Sequence, residues 1–195
     1  MVNKLSLSYR IIRKLGFNIS EKEYGNVTIR IAIKKTMKNW VNGILMNYCM
    51  YSAFLGHLNY RKIRPFLWKF MGAKIRGHIY IGTEVWADIG NISLITIEDG
   101  VHIANRCFLL CHQRDFSDYC IGDVYSNLPY VRKPIVLKKG CLLGSNVTVL
   151  PGVTIGEGSI IGSGSVVSRD IPEWTLAIGS PAKIIKHIPK RIKNN

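Results

Sequence analysis

The sequence predicts a mainly β chain of short strands joined by tight turns, preceded by a helical extension. Three observations carry this. From Leu137 onward an aliphatic residue returns at every sixth position: Leu137, Leu143, Val149, Ile155, Ile161 and Val167. A helix repeats near 3.6 residues and a strand near 2, so neither alone gives that period. Second, Gly144, Gly156 and Gly162 directly follow the repeat position, and small or β-branched residues stand four places after it, from Cys141 to Ile171. One aliphatic side chain per hexad then points inward, and the glycines serve turns or close backbone approach. Third, the first seventy residues abandon this period for a spacing of three and four.

Within that early stretch, Ile29, Ala32, Ile33, Thr36, Met37, Trp40, Ile44, Leu45 and Tyr48 predict one face of an amphipathic helix. Lys34, Lys35, Lys38 and Asn39 fall largely on the other face. Gly43–Leu58 is the most apolar run, but Asn47 and His57 interrupt it and it is too short to span a bilayer. Arg61–Met71 predicts a second short amphipathic helix, and Pro65 limits where it begins. These helices either cap the body or lie on an anionic membrane with Trp40, Phe66, Trp68 and Phe70 at headgroup depth.

The repeat also appears earlier. Ile75, Ile81 and Ala87 form one series, and Ile97, Ile103 and Leu109 another. The step between the series is not a multiple of six, which puts an insertion near Gly90–Leu94. The step from Leu109 to Leu137 also breaks the period, so a loop at 113–133 leaves the repeat. Long loops in compact repeat domains are usually functional. The domain boundaries that follow are 1–74 for the helical extension, 75–182 for the repeat and 183–195 for a basic tail.

Charge follows the same division. The 195 residues carry 27 Lys or Arg and 12 Asp or Glu, a net of +15. Residues 1–76 hold 15 basic and 2 acidic side chains, 77–182 hold 7 and 10, and 183–195 hold 5 and none. The body is nearly neutral and the ends are basic, which suits an anionic partner. A hydrophobic content of 47% excludes a disordered chain. The five cysteines show no C-x-x-C pair and no signal peptide precedes them, so reduced thiols in a cytoplasmic protein are expected. No nucleic-acid-binding motif is present, and no nucleic-acid partner is expected.

With these residues in place, 75–188 resembles the hexapeptide-repeat acyltransferases. The segment DIPEWTLAIGSPAKI, Asp170–Ile184, is similar to that family's ending. The maltose and galactoside acetyltransferases, and the sugar O-acetyltransferases encoded with capsule and lipopolysaccharide genes, are the nearest in pattern. The latter share an extension resembling RKIRPFLWKFMGAKIRG. The resemblance implies a left-handed parallel β-helix with about three hexads per coil. It also implies a homotrimer, acetyl-CoA as co-substrate with no metal, and O-acetylation of a saccharide.

His112 opens the inserted loop, where the family's catalytic histidine lies. A neutral imidazole can take the proton of a weakly nucleophilic hydroxyl and return it to the departing thiolate. Asp115 and Asp118 follow, and either orients the imidazole or grips a sugar hydroxyl. Asp88 falls where relatives carry an acceptor-contacting asparagine, and it would accept hydrogen bonds from sugar hydroxyls. Trp86, Tyr119, Tyr125 and Tyr130 are candidates to stack on a pyranose ring. Ser145 matches a serine near the thioester oxygen. Ser163 matches a pantetheine contact. Ser168, Arg169 and Lys183 match family positions at the CoA end, and Lys186 adds a cation for its phosphates. Relatives often carry a tryptophan where this chain has Leu142, so that contact is not carried over.

Two rival readings share these residues. A nucleotide-amino-sugar N-acetyltransferase uses the same histidine and CoA groove. A non-enzymatic scaffold on a membrane surface would need no CoA end; in either case residues 27–74 are the segment that would associate with the membrane, at its inner face.

Overall fold

A computed structural model of the chain describes residues 5–16 and 21–191. Residues 1–4, 17–20 and 192–195, which include the end of the expected basic tail, lie outside the described residues. The chain divides into two compact units. One lies within Met1–Gly43 and Arg114–Tyr130, the other within Ile44–Gln113 and Val131–Asn195.

In the first unit, α1 (Leu7–Lys14) starts at Ser6, whose Oγ accepts the Tyr9 N–H at 3.3 Å, an ordinary N-cap. A short α2 (Glu21–Tyr24) follows. The predicted long helix is α3 (Ile29–Tyr51), which begins in this unit and ends in the next. Most of its expected apolar face is not covered: Ile29, Ile33, Met37, Trp40 and Ile44 are exposed, while Leu45 and Tyr48 pack against the core. The residues it does bury are Asn42, Met46 and Cys49. The remainder of this unit is the inserted loop. There Phe116 stacks on Tyr125, with centroids 6.1 Å apart, and the Arg114 guanidinium lies 3.8 Å from the Tyr130 ring centre.

In the second unit a π turn over Asn59–Ile63 leads into α4 (Arg64–Met71). Pro65 sits in its first turn, where a missing N–H costs nothing. The chain then winds in coils of three strands. The first coil is β1 (Lys74–Ile75), β2 (Tyr80–Ile81) and β3 (Trp86–Ala87). The second is β4 (Ile95–Ile97), β5 (His102–Ile103) and β6 (Phe108–Leu109). A two-stranded ribbon, β7 (His112–Arg114) and β8 (Tyr130–Arg132), brackets the inserted loop. The third coil is β9 (Ile135–Leu137), β10 (Leu142–Leu143) and β11 (Thr148–Val149), and the fourth is β12 (Thr154–Ile155), β13 (Ile160–Ile161) and β14 (Val166–Val167). β15 (Thr175–Gly179) and β16 (Ala182–His187) close the unit as an antiparallel pair.

Strand pairing builds three faces. The first stacks β1, β4, β9 and β12; the second stacks β2, β5, β10, β13 and β15; the third stacks β3, β6, β11 and β14. All these pairs are parallel, so the chain visits the faces in turn and returns one layer higher. Each hexad aliphatic ends its strand and is fully buried, from Leu137 to Val167. Leu143 pairs with Ile161, eighteen residues on, which is three hexads per coil. Ile81 pairs with Ile103 and Ile103 with Leu143, both longer steps. The first surplus is the 3-10 helix over Ile89–Leu94, where the period breaks, and the second is the inserted loop.

Two buried serines replace aliphatics in the last coils. Ser159 Oγ donates to the Pro172 carbonyl at 2.5 Å and Ser165 Oγ to the Gly162 carbonyl at 2.6 Å, so neither hydroxyl is left unpaired. At the other end Met46, Cys49, Trp68 and Met71 join the same buried cluster as the coil aliphatics. Beside them Arg64 is fully buried. Its guanidinium donates to the carbonyls of Gly82, of Ile81 at 3.3 Å and of Ser52 at 2.6 Å, and it faces the Tyr60 ring at 4.5 Å. Burial pulls that guanidinium below its ordinary range.

Candidate active site

The corner after the third face carries Asp88, Leu110, Leu150 and Ser168 in successive coils, because the N–H groups of Asp88, Leu110 and Leu150 donate to the carbonyls of Leu109, Val149 and Val167. His112 lies two residues beyond Leu110, at the start of β7. The chain therefore leaves the coil beside the turn that holds Asp88. His112 Nδ1 is hydrogen-bonded to Asp88 Oδ2. The Asn91 side-chain amide donates to the same carboxylate oxygen at 3.0 Å and lies 3.4 Å from His112 Nδ1.

The chemistry of these groups fixes the tautomer. An ionised carboxylate only accepts, so Nδ1 carries the proton and donates to Asp88. An amide nitrogen cannot also donate to a protonated Nδ1, so the Asn91 bond that counts is the one to Asp88. Nε2 is then the basic nitrogen of the ring. Burial differs across the pair: the Asp88 side chain is 4% exposed and the His112 side chain 36%. A buried carboxylate is costly unless its lone pairs are used, and here a ring N–H and an amide N–H use them. Asp88 also occupies the N-cap position of the 3-10 helix but makes no side-chain cap bond. Its carboxylate is committed to the histidine.

Next to His112, Cys111 is buried, and burial, aided by the charge of Asp88, pushes its thiol up to about 12. A thiol held that high is a poor nucleophile at neutral pH.

The other expected site residues are distributed as follows. Trp86, on β3, is half-buried and lies beside Phe108, with ring centroids 6.5 Å apart. Asp115, Asp118 and Tyr130 belong to the first unit. There Asp115 Oδ1 accepts from the N–H of Ser117 at 3.1 Å and from its hydroxyl at 2.8 Å, and Asp118 is exposed. Asp88, expected from the sequence at the acceptor, is the carboxylate that meets the imidazole. Asn91 was not singled out in the sequence, although it sits in the very insertion that breaks the period.

The corner after the second face holds Gly82, Ala104, Gly144 and Gly162 in successive coils. Here Ser145 and Ser163 come together: the Ser145 carbonyl accepts the Gly164 N–H at 2.8 Å. A Cβ on Gly144 would stand 2.7 Å from Ser163 N, so the coils approach this closely only with glycine there. Ser168 and Arg169 lie at the third-face corner with Asp88, both exposed. Lys183 and Lys186 stand exposed on β16, opposite Ile178 and Leu176.

Residues 134–169 match the family model described as bacterial transferase hexapeptide (six repeats). WbbJ of Escherichia coli (strain K12), named for O-acetyl transfer in lipopolysaccharide biosynthesis, is 35% identical over 120 residues. That match covers 57% of this chain and 61% of WbbJ, so this chain spans about three fifths of that relative's length. The crystal structure of a maltose O-acetyltransferase from Clostridium difficile 630 superposes with a TM-score of 0.58 at 19% identity, over 80% of this chain and 89% of that one. A galactoside acetyltransferase solved with coenzyme A gives 0.55 at 24% identity, over 80% and 82%. This chain therefore has the fold of those acetyltransferases, a left-handed parallel β-helix, with the hexapeptide repeat matched over residues 134–169.

Proposed function

We propose that this protein transfers an acetyl group from acetyl-CoA to a hydroxyl of a saccharide, with His112 as general base. The single observation that carries the reading is the His112–Asp88–Asn91 arrangement at the corner where the chain leaves the coil. Asn91 holds the Asp88 carboxylate, and the carboxylate holds Nδ1–H. Nε2 takes the proton of the acceptor hydroxyl as its oxygen attacks the thioester carbonyl. The imidazolium so formed is stabilised by the buried Asp88 charge. When the tetrahedral intermediate collapses, the C–S bond breaks and the proton passes from Nε2 to the CoA sulfur. No covalent enzyme intermediate is needed, which agrees with the raised Cys111 thiol.

Ser145 and Ser163 would line the thioester and pantetheine, and Arg169, Lys183 and Lys186 would face the CoA phosphates. In one chain Ser145 and Ser163 sit at the second-face corner while His112 sits at the third. A site using both draws them from neighbouring copies, which supports the homotrimer expected from the resemblance. Trp86 would meet the acceptor. In this reading Asp88 acts through His112, and Asp115 serves the loop.

The test is a CoA-release assay with purified protein over a panel of neutral and amino-sugar oligosaccharides. Release with neutral acceptors supports O-acetylation. Release with amino-sugars alone would overturn it in favour of N-acetylation.

A further inference from the structure

We infer that α3 and the helical run at 57–71 dock this protein on an anionic lipid surface. The inference is independent of the acyl-transfer reading. Residues 24–83, sixty in all, contain ten Lys or Arg and not one Asp or Glu. Along α3, Ile33, Met37, Trp40, Ile44 and Tyr51 follow at spacings of four, three, four and seven, which places them on one face. All are more than half exposed, from 53% at Ile44 to 68% at Tyr51. The residues α3 buries, Asn42, Met46 and Cys49, fall on the opposite face. The second helical run shows the same inversion by itself. Arg64, Trp68 and Met71 are fully buried, while Phe66 and Phe70, one turn apart, are each 66% exposed.

Charge selects what covers these faces. Arg30 flanks the α3 stripe, with Lys34 and Lys38 further round the helix, and Lys62 and Lys69 flank Phe66 and Phe70, all exposed. A second copy laid on either helix would bring cations against cations, with no acid in the stretch to pair them. A nucleic acid would meet the cations but leave Ile33, Met37 and Ile44 without a use. An anionic bilayer satisfies both features: headgroups take the Lys and Arg, and the aromatic and aliphatic side chains enter the boundary beneath. Among the described residues no helix is long and apolar enough to cross a membrane, which agrees with a helix lying in its surface.

The experiment is co-sedimentation of the full chain with phosphatidylcholine vesicles, with and without about one-third phosphatidylglycerol, at low and high salt. Binding to the anionic vesicles is expected, weakened at least about tenfold by high salt or by removing the anionic lipid. Trp40→Glu and Phe70→Glu together should cut it by a similar factor while leaving the thermal melt unchanged, since both side chains are exposed. Wild-type protein that stays in solution with anionic vesicles would overturn the inference, as would a double variant that binds like wild type. Loss of a higher-order species in sedimentation velocity, without any vesicle binding by wild type, would assign these faces to a second copy instead. A Lys34→Gln, Lys38→Gln variant gives the same answer should the double variant fold poorly.

Discussion

At His112 the local wiring runs through Asp88 and Asn91, and each residue has a separate consequence when changed. Asp88→Asn keeps the shape of the side chain but no longer offers a carboxylate to Nδ1–H, and its amide favours the wrong ring tautomer. We expect kcat to fall about 10²–10⁴-fold with little change in KM. Asn91→Ala leaves the dyad in place but frees the carboxylate to rotate, and a loss of about tenfold is expected. Steady-state kinetics and a matched melting curve check both. Cysteines give a second check. Burial raises the Cys49 and Cys107 thiols to about 11 and those of Cys111 and Cys141 to about 12. Native protein at pH 8 should therefore take up one equivalent of iodoacetamide, at exposed Cys120. Rapid labelling of a second cysteine would contradict this packing. The hexad aliphatics were legible because each is repeated in place and buried for the same reason. The Asp88–His112 pair was not, since 24 residues separate them and only strand register, Trp86 against Phe108, brings their turns together.

At the scale of elements, the sequence located α3 and the run that becomes α4, but not α1 or α2, nor which side of the helices is covered. The spacing from Ile29 to Tyr48 marks an apolar face correctly, yet periodicity carries no information about what that face meets. In α4 the same motif sends Trp68 inward and Phe66 and Phe70 outward. Arg64 ties this helix to the first coil. Its guanidinium serves the carbonyls of Ile81, Gly82 and Ser52, the last shared with the Asn59 side-chain amide, which donates to it at 3.0 Å. Arg64→Ala should leave them without that donor and cost about 3 kcal/mol, from roughly 1–3 for each buried group left unpaired. Urea unfolding reads this directly. A midpoint shift equivalent to less than about 0.5 kcal/mol would show that the clamp is dispensable.

For the whole molecule, the charge of +15 separates by task. The body between 77 and 182 carries 7 basic and 10 acidic residues and forms the coils. The basic end on β16 is proposed for CoA phosphates, and the acid-free stretch before the coils for lipid. The fold was legible because a period of six with a returning aliphatic admits few architectures. The geometry of the 113–133 loop was not, because its aromatic stacking and its Arg114–Tyr130 contact follow no period. The chemistry proposed for the molecule sits at the corner where that loop departs. The most direct test is CoA release from acetyl-CoA with an accepted saccharide, comparing wild type with His112→Ala. The account predicts that kcat falls by about 10²–10⁴ while the protein stays folded and still binds CoA. A loss of less than about tenfold in a folded His112→Ala variant would contradict the assignment of His112 as the general base.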